Sequence, residues 1–236
     1  MSEPRSMTAI VMAGGKGIGE GIARHLASVG YRLLLVSNGD GAAKVAEELG
    51  CLSARGSVAR KEDIDSAVEL AMKHWDRIDL VVNNTGHPAR GDLFSITDEN
   101  WHDGLDLLLL NVVRMAKAVT PIMQRQGGGA IVNISTYVAE QPDLNYPVSS
   151  ALRAALTAWV KLYTDAYGPL NIRMNNILPG SIENYQGSEN RLAAIPLRRQ
   201  GKLEELGRTV AFLASPDAGY IAGQNIRVDG GLTRGL

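Results

Sequence analysis

Cysteine is nearly missing from these 236 residues, and Cys51, standing alone, cannot form an internal disulfide. Such a composition fits a reducing compartment. Charge of one sign is also missing: 24 Lys and Arg stand against 25 Asp and Glu, a formal net charge of −1, with no basic run. Neither a nucleic acid nor an anionic membrane is therefore expected as a partner, which leaves a small-molecule substrate. No apolar run approaches the length of a bilayer span, and the opening Met-Ser-Glu-Pro-Arg-Ser lacks the apolar stretch of a signal peptide. The expected location is cytoplasmic. No Pro/Gly/Ser linker, internal repeat or low-complexity segment interrupts the chain, and no metal site is expected. One domain over residues 1–236 is the reading.

What the sequence does contain is an alternation of short apolar runs with amphipathic segments of helical length, in a chain that is 45% hydrophobic. Strands are expected at Thr8 to Ala13, Arg32 to Ser37, Leu52 to Gly56, Asp79 to Asn83, Ala130 to Ser135, Arg173 to Leu178 and Asn225 to Val228. Helical periodicity fits Ile18 to Ser28, Gly41 to Leu49, Lys61 to His74, Asp98 to Arg125, Pro147 to Tyr167 and Leu203 to Leu213. This order predicts an α/β fold, a seven-stranded, doubly wound parallel sheet in three α/β/α layers. The helix from Pro147 carries Ala151, Ala154, Ala155 and Ala158, small residues that admit a second helix at close range. Read by themselves they suit packing within the chain.

Met12 to Gly19 reads Met-Ala-Gly-Gly-Lys-Gly-Ile-Gly, after the first strand and before a helix. Glycines there let the backbone approach a pyrophosphate, which the free N–H groups and positive end of the helix stabilise. The turn resembles the Thr-Gly-x-x-x-Gly-x-Gly motif of the short-chain dehydrogenase/reductase family, with Met12 and Ala13 in place of the threonine and first glycine. Asn83-Asn84-Thr85-Gly86 resembles that family's Asn-Asn-Ala-Gly, and Pro179-Gly180 with Ile182 resembles its segment beside the nicotinamide, with Asn184 replacing a threonine. Likeness runs from about Met7 onward and includes Ile-Pro-Leu-Arg-Arg and Ile-Arg-Val-Asp-Gly-Gly near the end. A Rossmann-type fold and a dinucleotide follow as implications of the resemblance. Its contacts would fall at Ala13, Gly15, Lys16, Gly17, Ile18 and Gly19, then at Ser37, Asn38 and Val58. Asn84, Thr85, Gly86, Pro179, Gly180 and Ile182 complete that set, while Ser57 stands where an adenine-holding aspartate is usual. A methyl group at Ala13 would be tolerated at negative φ. Ser37 and Asn38 at the end of the second strand lack the carboxylate that favours NAD, and Lys16 matches a position where the family often carries a basic residue facing the 2′-phosphate. NADP(H) is expected over NAD(H).

The same resemblance assigns the chemistry. Tyr146 would exchange a proton with the substrate oxygen, Ser135 or Thr136 would orient that oxygen, and Asn111 would anchor a relay water. Tyr137 is a further phenol nearby. Four residues beyond Tyr146 the family carries lysine, and here Ser150 stands. A hydroxyl can bond a ribose but carries no charge, and a cation about 4 Å from a phenolate at an effective dielectric of about 20 is worth about 4 kcal/mol. A neutral phenol is a poor base for alcohol oxidation yet still an acid for carbonyl reduction. Arg153 lies one further turn along the helix. An NADPH-dependent reductase of a small carbonyl substrate is the expectation. The same cleft running a dehydration, cyclisation or isomerisation, and a non-catalytic dinucleotide-binding or partner subunit, are the alternatives. Family members commonly assemble as dimers or tetramers through the two long helices, which implies a homo-oligomer. Arg191, Arg198 and Arg199, in an expected lid from Glu183 to Gln200, suit either an anionic substrate or a plain solvated surface.

Overall fold

A computed structural model of the chain describes residues 6–185 and 189–235, and of residues 190 and 191 the backbone only. Seven strands, β1 (Thr8–Met12), β2 (Arg32–Ser37), β3 (Leu52–Arg55), β4 (Leu80–Asn83), β5 (Gly129–Ile134), β6 (Ile172–Pro179) and β7 (Asn225–Val228), form one sheet in the order β3-β2-β1-β4-β5-β6-β7. Every pairing is parallel. Runs such as Thr-Ala-Ile-Val-Met in β1 are buried along their whole length, as strands covered on both faces must be.

The helices are α1 (Gly17–Ser28), α2 (Gly41–Leu49), α3 (Lys61–Trp75), α4 (Asp98–Leu105), α5 (Asn111–Arg125), α6 (Pro147–Tyr167), α7 (Glu189–Ala194) and α8 (Leu203–Ala214). Ile22, Ala42 and Leu206, from α1, α2 and α8, pack with Val11 and Leu35 on one face of the sheet. Ile64, Met115 and Leu156, from α3, α5 and α6, pack with Ile10 and Val81 on the other. The doubly wound expectation is thus met, with strand ends shifted by a residue or so. The expected single helix Asp98 to Arg125 is interrupted by one π-helical turn, Asp106–Leu110, immediately before Asn111. Arg114 braces that turn, pairing with Asp106 at 2.6 Å and donating to the Ala59 carbonyl at 2.6 Å.

One polar row crosses the interior. Asn83 Nδ2 donates to Asn133 Oδ1, Asn133 Nδ2 to Asn176 Oδ1, and Asn176 Nδ2 to Asn225 Oδ1, each at 2.9 Å. These residues sit in register on β4, β5, β6 and β7, so each amide meets the next across one strand spacing. Asn225 Nδ2 ends the row on Glu140 Oε1 at 3.0 Å. Satisfied from end to end, the row locks the carboxyl-terminal half of the sheet at one height. At the amino-terminal ends of the central strands β1 and β4, Asp79 accepts from the Thr8 N–H at 2.9 Å and pairs with Arg77.

The small residues of α6 do not serve packing within the chain. Ala151, Ala154, Ala155 and Ala158 are exposed, as is Leu162, while Leu156, Val160 and Tyr163 face the core.

Candidate functional site

Strand order reverses direction around β1, whose neighbours are β2 and β4, and a crevice opens beyond the carboxyl ends of these strands. Its volume is about 820 Å³. At one end lie Ser37, Asn38, Gly56, Ser57 and Val58, from the ends of β2 and β3. In the middle lie Ala13, Gly15, Lys16, Gly17 and Ile18, where β1 turns into α1. At the far end lie Asn84, Thr85, Gly86 and His87 after β4, Ile134 and Ser135 at the end of β5, and Arg153, Asn184 and Tyr185. Among the described residues the lining holds cations, hydroxyls and amides but no carboxylate.

The central turn is made by close backbone approach. A Cβ on Gly19 would lie 2.2 Å from the Ala13 carbonyl oxygen and 2.7 Å from Asn84 Nδ2, so the first turn of α1 can press against the end of β1 only as glycine. Asn84 Nδ2 donates to that same Ala13 carbonyl at 3.3 Å, tying the β4 turn to the β1 turn. Ala13 itself has φ of +48°. The negative φ that would tolerate its methyl group is not what the fold adopts, because the chain must reverse here to place α1. Strain of about 1 kcal/mol or more is held at this residue.

At the β2 end, the Ser37 hydroxyl accepts from the Ala42 N–H at 3.1 Å and donates to the Gly39 carbonyl at 2.8 Å, so it shapes the turn. Arg55 at the end of β3 donates through Nε to the Asn38 carbonyl at 3.2 Å, which holds an exposed guanidinium at the β2 end of the cleft. Sequence reading passed over Arg55; its registry with Ser37 across the β2–β3 pair is the signal that would have found it.

The far end departs most from expectation. Ser150 is buried, and its hydroxyl accepts from the Asp143 N–H at 3.3 Å, so it serves the loop before α6 and does not line the cleft. Ser135 lines the cleft with a buried hydroxyl that has no partner, whereas Thr136 begins the 3-10 turn Tyr137–Ala139 outside the lining. Tyr137 is buried in that turn. Tyr146 stands half-buried at the start of α6, with Arg90 4.9 Å over its ring. Asn111 is buried after the π turn and its Oδ1 accepts from the Val112 N–H at 2.6 Å. Pro179 and Gly180 pack along β7, and Ile182 is in the core, so none of the three lines the cleft. Asn184 reaches over the turn, its Nδ2 3.0 Å from where a Gly17 Cβ would be.

Three further groups meet here. His87 and Tyr185 are in direct contact, with ring centroids 5.3 Å apart. His87 is exposed as a whole but its ring is partly covered by this contact, and desolvation, followed by the charges of Arg90, Arg153 and Lys16, holds its pKa below the usual value. Desolvation raises Tyr185, against the lowering effect of Arg90 and Arg153. Arg153 is pulled down to about 10 by burial, Tyr185 opposing, so it remains a cation at neutral pH. Of the lid arginines, Arg199 is paired with Glu205 at 2.7 Å and lines a separate hollow of about 540 Å³ beside β7; Arg198 contacts the Ala193 carbonyl. The Arg191 side chain and residues 186–188 lie outside the described residues.

A family model described as enoyl-(acyl carrier protein) reductase matches residues 12–233. The chain is 33% identical over 240 residues to dehydrogenase/reductase SDR family member 4 of Pongo abelii, covering 94% of this chain and 86% of that protein. It is 32% identical over 257 residues to oxidoreductase UcpA of Salmonella typhimurium, covering 99% and 97%. Among solved structures it resembles YwfH, described as an NADPH dependent reductase involved in bacilysin biosynthesis, with a TM-score of 0.93 at 26% identity over 98% of this chain and 100% of that one. The chain belongs to the short-chain dehydrogenase/reductase family.

Proposed function

We propose that this protein is an NADP(H)-dependent oxidoreductase that reduces the carbonyl of a small organic substrate. The observation that carries the reading is the cleft: a glycine-built turn at the positive end of α1, flanked by hydroxyls and cations, with no carboxylate in its lining among the described residues. A dinucleotide fits that set. Ser37, Asn38 and Val58 would hold its adenosine half, the turn from Ala13 to Ile18 its pyrophosphate, and Thr85, Gly86 and Ser135 its nicotinamide half. A nicotinamide bound there would supply the hydride. Tyr146 gives the proton to the carbonyl oxygen, which the Ser135 hydroxyl orients; Arg90 over the Tyr146 ring fixes the phenol's direction by cation–π attraction. Asn111 steadies the helix behind them.

Preference for the phosphorylated dinucleotide rests on Lys16 and Arg55, two cations flanking the end of β2. The relative YwfH is described as NADPH dependent, which supports the same choice. A homo-oligomer, dimer or tetramer, would cover the exposed alanine face of α6.

Titration of the purified protein with NADPH and NADH tests the proposal. NADPH binding about tenfold tighter than NADH is expected from two cations facing one phosphate. It should be followed by stoichiometric NADPH consumption with a carbonyl panel, reduction outrunning alcohol oxidation at pH 7. Equal affinities would remove the NADP assignment. Turnover persisting after all nicotinamide is stripped would place the protein among non-redox enzymes.

A further inference from the structure

Arg153 is a buried cation without a counterion. It is 6% exposed, its Nη1 donates to the Ile134 carbonyl at 2.8 Å, and its Nε has no acceptor. No carboxylate pairs with it among the described residues, and none lines the cleft it faces. Folds rarely retain such a group unless something supplies the missing acceptors, because an uncompensated charge in the interior is strongly unfavourable. Two other cleft atoms share the deficit: Thr85 Oγ1 and Ser135 Oγ are buried and unpartnered. A guanidinium only donates, whereas hydroxyls donate and accept. The three together call for a ligand carrying several hydroxyl oxygens at the β4–β5 end.

We propose that Arg153 holds the ribose on the nicotinamide side of the dinucleotide, in concert with Thr85 and Ser135. The assignment rests on the dinucleotide reading above. Sheet order supplies the direction: the β2 and β3 ends lie on one side of the α1 turn, and β4 and β5 on the other, so a dinucleotide with its pyrophosphate at the turn places one ribose on each side. Ser150, whose hydroxyl is engaged by the Asp143 N–H, supplies no charge and lies outside the lining. Arg153, one turn further along α6, brings the cation from beneath the end of β5 instead. A carboxylate on the substrate would also satisfy a guanidinium, but it would leave the two hydroxyls without the donor and acceptor mixture that a diol offers.

Calorimetric titration of wild type, Arg153→Gln and Arg153→Met with NADPH, and separately with adenosine 2′,5′-bisphosphate, tests this. The second probe has only the adenosine end. NADPH affinity is expected to fall about tenfold or more in both variants while the bisphosphate binds within about twofold of wild type. The melting temperature without ligand should hold or rise, since the variants remove an unpaired buried charge; a merely structural arginine would lower it. Arg153→Gln keeps a donor for the Ile134 carbonyl and carries the test if Arg153→Met does not fold. NADPH binding at the wild-type level, with only the KM for the carbonyl substrate changed, would assign Arg153 to the substrate and overturn the proposal. Equal weakening of both probes would overturn it as well. Wild type that binds neither probe would sink the dinucleotide reading itself.

Discussion

At the β1 to β3 end of the cleft much of the ligand-facing surface is backbone: Gly15, Gly17, Gly39, Gly41 and Gly56 line it, and the Ser37 hydroxyl beside them also holds the turn together. At the β4 to β5 end the surface is side chain: Thr85, His87, Ser135, Arg153 and Tyr185. Backbone recognition depends on the absence of atoms, so it is written as glycine at fixed spacing and tolerates little change. Side-chain recognition depends on which group arrives, and the same place can be reached from a different position on the same helix. Departures from the family pattern accordingly do different things at the two ends. Ala13 strains a turn that keeps its shape, whereas Ser150 withdraws from the cleft and leaves Arg153 facing it.

The largest effect should come from the far end. Tyr146→Phe removes the proposed proton donor and is expected to lower kcat about 100- to 10,000-fold while NADPH affinity stays at the wild-type level. Steady-state kinetics with parallel binding measurements separate the two. Retained turnover would move the acid role to Tyr185, the phenol that lines the cleft. Gly19→Ala tests the backbone end. Its Cβ would meet the Ala13 carbonyl oxygen at 2.2 Å, and relief requires α1 to withdraw from β1, at about 3 kcal/mol. Both stability in urea and NADPH binding should suffer, because the same turn serves fold and ligand. Asn133→Val is the corresponding far-end test. It strands the Asn83 amide donor and the Asn176 oxygen in the interior at a cost of about 2 kcal/mol, read from the urea midpoint. If NADPH affinity also drops, the asparagine row sets the height of Ser135; if it does not, the two ends are mechanically independent.

This contrast also explains what could be read from sequence. Buried parallel strands announce themselves as apolar runs such as Leu33 to Val36, and the Gly-rich turn before α1 needs only spacing. Legibility ends where placement depends on packing between distant elements. The asparagine row is invisible until β4 to β7 are in register. The π turn at Asp106–Leu110 falls in Asp-Leu-Leu-Leu-Leu, whose run of four leucines hides a change of pitch, and α7 falls in a segment expected to be a lid. Ser150 is visible as a departure, but the direction of Arg153 is fixed by how α6 lies on β5, which spacing along one helix does not contain.

The smallest predicted effect sharpens the comparison most, because it asks whether the backbone end has paid for its departure at Ala13. Ala13→Gly relieves a left-handed residue of strain worth about 1 to 2 kcal/mol. It also loosens the unfolded chain, which costs about 0.4 to 1 kcal/mol. The difference is a net stabilisation of about 0.8 kcal/mol at the centre of the two ranges and at most about 1.6, read as a rise in urea midpoint at unchanged slope. Because Asn84 already holds the Ala13 carbonyl, against which Gly19 packs closely, the turn keeps its shape and NADPH affinity should move by less than about twofold. A fall in stability would mean that the Ala13 methyl contributes more by packing against the core than its backbone loses by strain. In that event this end of the cleft, too, would be governed by side chains.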